Sequence, residues 1–146
     1  NQLSPLHMWL FYALLSALTA ALVAIFAKLG LKDLDSILAT TIRGIIMASF
    51  LVVVSLFLKK FDGFSLASLN QKEWLLITLA GISGALSWLF YFFALQKGAA
   101  TGVVAIDKLS IVFVVLLAAI FLSEGIGWKS AAGALLMVGG AVLIAL

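Results

Sequence analysis

The chain alternates between long apolar segments and short polar connections. Five segments are apolar over about 20 residues each, which is the length of helix needed to cross a hydrocarbon core. The runs are continuous and lack the two-residue alternation of a membrane barrel, so helices are favoured over strands. The pattern predicts an all-α integral membrane protein whose single transmembrane domain occupies residues 1–146, with helices at 8–29, 37–58, 74–95, 103–122 and 128–146.

The composition supports a membrane location. Hydrophobic residues make up 65% of the chain and charged residues 10%, whereas soluble domains contain about 45–50% and about 25%. The mean hydropathy is +1.28, so a lipid bilayer is expected to surround much of the chain. No basic stretch precedes the first segment, which is therefore expected to be a span rather than a signal peptide. Basic residues are dispersed, and no nucleic-acid partner is predicted.

Tryptophans support the count of five spans. An odd count places the chain ends on opposite sides of the bilayer, here called the N-face (the side of Asn1) and the C-face. Trp9, Trp74 and Trp128 begin the first, third and fifth segments. All three therefore lie at the N-face, where amphipathic rings suit the headgroup region. Trp88 lies deep in the third segment and needs another explanation.

Basic residues do not define an orientation. A protein of fixed topology usually concentrates them on the cytoplasmic side. Here the N-face holds Lys59, Lys60, Lys72 and Lys129, and the C-face holds Lys28, Lys32 and Lys97, with Arg43 and Lys108 deeper. Two interpretations are open: a small bias sets one orientation, or the chain inserts both ways and forms an antiparallel homodimer.

Polar and aromatic residues gather in the C-face half of the spans, where they predict a substrate vestibule. Helical phase places Arg43 on a face with Ser36 and Thr40, at a depth of roughly 9 Å. It also places Ser87, Trp88 and Tyr91 on one face of the third segment, and Asp107 on a face with Ser110. The candidate path residues are Lys28, Arg43, Ser87, Trp88, Tyr91, Asp107, Lys108 and Ser110.

Asp107 and Lys108 are adjacent in a segment otherwise suited to lipid. In a continuous helix they point about 100° apart, so they are not expected simply to neutralise each other. Asp107 is expected near Arg43 or Lys28, and Lys108 towards another helix, a water-filled pocket or the substrate. The vestibule then has surplus positive charge, which favours a substrate with a carboxylate or phosphate. Trp88 would contact its apolar part, together with Tyr91.

Each candidate also has a structural interpretation. Lys28 lies near the interface and could extend to the headgroups, while Arg43 and Asp107 could form a structural pair. Trp88 could belong to the core. The pattern of reactive side chains predicts no catalysis, no cofactor and no metal site, because neither a nucleophile–base arrangement nor a cluster of metal-ligand residues is recognised.

Several strings resemble the EamA domain of the drug/metabolite transporter superfamily, in its short single-repeat form. They are AIFAKLGL, ATTIRG, SWLFYFFAL, IDKLS and FLSE, and the resemblance covers essentially the whole chain. The family often has proline just before IDKLS, where this chain has Ala105, so a more regular start to the fourth helix is expected. It usually has glycine before the glutamate of FLSE, where this chain has Ser123.

The resemblance implies a five-helix EamA repeat and a transport function. Larger members contain two such repeats of inverted topology around a central path, so a single repeat would need a second copy. The expected function is secondary transport of a small polar or amphipathic metabolite by a homodimer, parallel or antiparallel, in the inner membrane of a prokaryotic cell. Alternatives are a flippase for lipids or lipid-linked sugars, and a non-transporting membrane assembly subunit.

Overall fold

The structure, a computed structural model, is helical, as the sequence predicts, and it describes residues 5–30 and 33–146. Lys32 lies outside these residues. The helices are α1 (Pro5–Gly30), α2 (Ser36–Phe57), α3 (Gln71–Lys97), α4 (Ala100–Asp107), α5 (Ser110–Phe121) and α6 (Trp128–Ala145). Within the described residues, five stretches are long and apolar enough to cross a membrane, with α4 and α5 forming one of them, Ala100–Phe121. The predicted all-α membrane fold is confirmed.

The fourth predicted helix is the one that differs. It was expected to be continuous over 103–122, but it is divided between α4 and α5 by a turn at Lys108 and Leu109. The helix is regular through Ala105, as expected where this chain lacks the family's proline. The interruption therefore comes after that position.

Local side-chain bonds define where α2 and α3 begin. Asp35 precedes α2, and its carboxylate accepts the Leu38 N–H at 3.0 Å. Before α3, the Asn70 side chain accepts the Glu73 N–H at 2.8 Å, while the Glu73 carboxylate accepts the Asn70 N–H at 3.0 Å. Such reciprocal capping satisfies N–H groups that have no partner inside the helix. Both helices thus begin immediately after a residue whose side chain caps the first turn.

The chain divides into two compact units. The α1/α4–α6 unit comprises Asn1–Leu29 and Lys97–Leu146, and the α2/α3 unit comprises Gly30–Gln96. In the α1/α4–α6 unit, α4 and α5 both contact α6. A Cβ added to Gly102 of α4 would lie 3.8 Å from Ala145 Cα, so the two backbones approach closely there. An open cavity of about 620 Å³ lies among α1, α4 and α6, and its lining is almost entirely apolar.

The α2/α3 unit has its buried residues at the C-face ends of its helices. Ser36 and Thr40 are buried in the first turns of α2, and Phe92 and Leu95 in the last turns of α3. The Gln96 amide also donates to the Leu34 carbonyl at 2.7 Å. Packing in this unit is therefore concentrated at the depth where the sequence predicts the vestibule.

Most apolar side chains on the spans are exposed. Phe57, Leu143 and Phe121 have relative exposures of 84%, 78% and 77%. Such a surface is unsuited to water but suited to lipid or to another apolar protein surface. The exposure agrees with a chain that crosses the bilayer several times.

Candidate substrate path

Arg43 lies against two aromatic rings in the α2/α3 unit. Its guanidinium carbon is 4.3 Å from the centroid of the Trp88 ring and 5.1 Å from that of Phe92. Aromatic faces attract cations, and a guanidinium can stack on them. This contact gives Trp88, the tryptophan that did not fit the interfacial pattern, a defined role in holding a cation.

The Arg43 guanidinium also retains an unused donor. Its Nη1 atom is inaccessible and has no hydrogen-bond partner within the described part of the chain. No carboxylate of residues 5–30 and 33–146 forms an ion pair with it. Ring faces attract the cation but are only weak hydrogen-bond acceptors. Arg43 is therefore oriented by its surroundings but only partly satisfied by them.

The face of α3 that meets Arg43 differs in part from the predicted one. Sequence phase grouped Ser87 with Trp88 and Tyr91, but Ser87 is exposed while the other two are half-buried. Phe92, which sequence analysis missed, is 3% exposed and lies one helical turn beyond Trp88. The spacing of four residues between Trp88 and Phe92 was the available signal. The neighbouring Phe90 and Phe93, which are exposed, obscured it.

Lys28 forms a long-range contact in the α1/α4–α6 unit. Its ammonium donates to the Gly98 carbonyl at 2.7 Å, in a partly buried position. Gly98 lies in the connection between α3 and α4. This bond joins the last turn of α1 to the chain immediately before the interrupted span. Lys28 therefore has a structural contact, in addition to its predicted place in the path.

The interruption of the fourth span changes its backbone hydrogen bonds. The Leu109 N–H donates to the Ile106 carbonyl at 2.9 Å, and the Ile111 N–H donates to the Lys108 carbonyl at 3.1 Å. These bonds span three residues rather than four, so the carbonyls of Ala105 and Asp107 lose their α-helical donors. Lys108 and Leu109 keep right-handed helical dihedral angles, so the interruption is a short 3₁₀-type turn within one apolar stretch.

The interrupted span also changes the expected relationship of Asp107 and Lys108. Their carboxylate oxygen and ammonium nitrogen lie 3.8 Å apart, with side-chain exposures of 43% and 55%. The expectation that they would not pair is wrong for this structure, because the helix ends between them and the flexible lysine turns back. Ser110, the other candidate on this segment, is the exposed first residue of α5.

The candidate residues thus form two groups within the two units. Arg43, Trp88 and Tyr91 belong to the α2/α3 unit with the exposed Ser87, and the α1/α4–α6 unit contains the rest: Lys28, Asp107, Lys108 and Ser110. That both groups line one path stays a prediction. Over the described ranges, no three metal-ligand side chains are gathered as a metal site would require.

Comparison with known proteins identifies the family. The model of the EamA-like transporter family matches residues 7–146. The chain belongs to this family. A relative from Sinorhizobium sp, described as an uncharacterized transporter in the cobO 3′ region, is 36% identical over 137 residues. The match covers 94% of this chain and 96% of the relative. No solved structure matches the chain.

The EamA-like assignment defines the class of protein. It supports a multi-pass membrane transporter and points away from an enzyme. It also gives meaning to Ser123, which occupies the position where the resemblance leads us to expect glycine. Ser123 has φ of +54°, a left-handed conformation that glycine adopts at little cost. Ser123 therefore adopts a backbone conformation that suits glycine better than serine.

Proposed function

We propose that this EamA-like protein is a secondary transporter that moves a small polar or amphipathic metabolite by alternating access. The observation that carries the proposal is the interruption of the stretch Ala100–Phe121 beside Asp107 and Lys108. In secondary transporters, interrupted helices supply free backbone groups and helix ends for substrates and coupling ions. Ionisable residues within such stretches are costly to retain without a function.

The working form is a homodimer in the inner membrane of a prokaryotic cell. Much of the apolar surface of each span is available for contact with a second copy, as the exposures of Phe121 and Leu143 indicate. The Sinorhizobium relative is matched over 96% of its length, so it too is about one repeat long. Two copies in opposite orientations would place one vestibule on each side of the bilayer, as inverted repeats do.

Purified protein in liposomes provides the test. Uptake of radiolabelled carboxylates, phosphate esters, amines and sugars is measured with and without proton or sodium gradients, and protein-free liposomes serve as the control. Saturable uptake of one class, driven by one gradient, is the expected result. Cooperative unfolding and crosslinking as a dimer show that the reconstituted protein is folded and assembled. If such protein takes up none of these classes of compound, the proposal is overturned.

A lipid or lipid-linked sugar flippase is the second candidate. It is favoured by the cavity of about 620 Å³ among α1, α4 and α6, which is apolar and open to its surroundings. Pockets of this size hold molecules of drug-like dimensions. Loss of leaflet asymmetry of a fluorescent phospholipid, detected by quenching with dithionite, would favour this candidate over metabolite transport.

A further inference from the structure

The packing of Arg43 points to a ligand for its guanidinium. A guanidinium has five N–H donors in a plane and accepts no hydrogen bonds. In the α2/α3 unit, the ring centroids of Trp88 and Phe92 lie 4.3 and 5.1 Å from its carbon, and Nη1 has no hydrogen-bond partner in the part of the chain that the structure describes. A buried charged donor without an acceptor is unfavourable, and such groups in native proteins usually have a missing partner.

The chemistry of that partner follows from the geometry. Planar guanidinium edges match the paired oxygens of carboxylates and phosphates better than any neutral acceptor. Arg43 as a residue is half-buried, whereas Nη1 itself is covered, so a ligand must approach from the part of the side chain that stays accessible. The rings restrict the guanidinium before the ligand arrives, which lowers the ordering cost of binding.

We propose that Arg43, held by Trp88 and Phe92, is an oxyanion-binding residue whose guanidinium donates to a carboxylate or phosphate of the transported molecule. The identification of the ligand as transported rests on the proposed transport function. The binding site itself does not, since it requires only the contacts within the α2/α3 unit. A phospholipid phosphate has the same chemistry, and the experiment distinguishes this source from a soluble ligand.

The fluorescence of Trp88 reports on the site directly. A protein with Trp9, Trp74 and Trp128 replaced by phenylalanine retains one tryptophan, which lies 4.3 Å from the Arg43 guanidinium carbon. In nanodiscs of zwitterionic lipid, it is titrated with phenylacetate and phenyl phosphate at constant ionic strength. Phenylacetamide is the neutral control of matched shape, and benzylamine is the cationic control. The expected result is a saturable change with the two anions only.

Substitution of Arg43 tests the assignment. Arg43→Gln is expected to weaken phenylacetate binding about tenfold or more, and Arg43→Lys to weaken it less, because charge remains but the planar donors are lost. Cooperative thermal unfolding of each variant shows that it folds, and Arg43→Lys carries the test if Arg43→Gln does not fold. Lys129 provides a control, since in the unchanged chain its ammonium lies 5.9 Å from the centroid of the Trp128 ring, and Trp128→Phe keeps an aromatic ring at that position. Lys129→Gln is expected to leave anion binding unchanged.

The outcomes separate the sources of the oxyanion. A response to nanodiscs containing phosphatidylglycerol, with competition against phenylacetate, assigns the occupant to a lipid phosphate. A response to phenylacetate alone assigns a soluble anion. Equal responses to phenylacetate and phenylacetamide, or unchanged binding in both Arg43 variants, overturn the proposal. Anion binding without uptake into liposomes would contradict the proposed transport function and leave the binding site standing. Uptake of amines without anion binding would contradict the binding site and leave the transport function standing.

Discussion

The ammonium of Lys28 donates a hydrogen bond of 2.7 Å to the carbonyl of Gly98, 70 residues further along the chain. The bond joins α1 to the connection that leads into α4, within the α1/α4–α6 unit. A partly buried bond from a charged donor is stronger than one between neutral groups. Lys28 is thus held by a tertiary contact, which is separate from its predicted role in the substrate path.

Loss of this donor is expected to destabilise the protein. Lys28→Met keeps an unbranched side chain but leaves the Gly98 carbonyl without its partner. We expect a decrease of about 1–2 kcal/mol in the free energy of unfolding, measured by thermal unfolding in nanodiscs with intrinsic tryptophan fluorescence. Lys97→Met, at an exposed position at the end of α3, is the control and should change stability little. Equal effects of the two substitutions would contradict a structural role for the bond.

Asp107 is expected to serve transport rather than stability. Its pairing distance to Lys108 is long, at 3.8 Å, and both side chains are open, so Asp107→Asn should change the free energy of unfolding by less than about 1 kcal/mol. The same substitution should abolish accumulation of substrate against a gradient, because a neutral amide cannot carry a coupling proton or bind a coupling cation strongly. Uptake by proteoliposomes measures this effect. Asp62→Asn, in the exposed connection after α2, is the matched control. Normal accumulation by the Asp107 variant would exclude this carboxylate as the coupling group.

Gly102 allows α4 and α6 to approach closely. A Cβ at this position would meet Ala145 Cα at 3.8 Å, an ordinary van der Waals distance. Gly102→Ala is therefore expected to be neutral or slightly stabilising, whereas Gly102→Leu should cost about 1–3 kcal/mol because the larger side chain forces the helices apart. Gly81→Leu in α3 is the control, since an added Cβ there meets nothing within 4 Å. Thermal unfolding of the three variants checks the order, and a stable Gly102→Leu protein would contradict close packing.

The backbone at Ser123 is expected to be strained, and substitution by glycine is expected to relieve that strain. Its φ of +54° lies in the left-handed region, and the following Glu124 N–H donates to the Ala118 carbonyl at 3.2 Å, closing the end of α5. Ser123→Gly keeps this turn and should raise the free energy of unfolding by about 1 kcal/mol. Ser83→Gly, inside α3, should lower it, because glycine is unfavourable in a helix. A decrease for both glycine variants in thermal unfolding would show that Ser123 is not strained.

The spans were predictable because their physical cause is simple. Each must be apolar for about 20 residues to cross the bilayer, and that requirement is visible in the sequence without knowledge of packing. The capping residues Asp35 and Asn70 were not singled out, although each stands immediately before a helix or its first turn. Such residues become informative only once the helix limits are known.

The site was predictable only in part. Arg43 and Trp88 are conspicuous because polar and interfacial residues are unusual at that depth. Phe92 was not, because phenylalanine suits lipid and protein contacts equally well in a membrane span. The pairing of Asp107 with Lys108 was mispredicted because helical phase assumes a continuous helix, and neither glycine nor proline marks the interruption at Lys108 and Leu109.

Insertion in both orientations is expected because the basic residues are evenly distributed. The chain contains no cysteine, so Asp62→Cys and Ala99→Cys, which remove no basic residue, each give a single thiol at an exposed position at opposite ends of a span. In intact cells, a membrane-impermeant maleimide should label a substantial fraction of each variant, and the remainder should react after permeabilisation. Labelling of one variant only, with complete protection of the other, would establish a single orientation.

Charge redistribution then tests whether both orientations are needed for transport. Basic residues are retained in the cytoplasm. Replacing Lys59 and Lys60 with glutamine should therefore favour insertion with the C-face in the cytoplasm, and Lys97→Gln should favour insertion with the N-face there. If the working dimer is antiparallel, each biased protein alone should lose uptake, and coexpression of the two should restore it. The same labelling with maleimide verifies each bias, and a variant with an equal number of substitutions on both faces controls for the loss of charge itself. Full uptake by a protein that inserts in one orientation would show instead that the dimer is parallel or that one copy suffices.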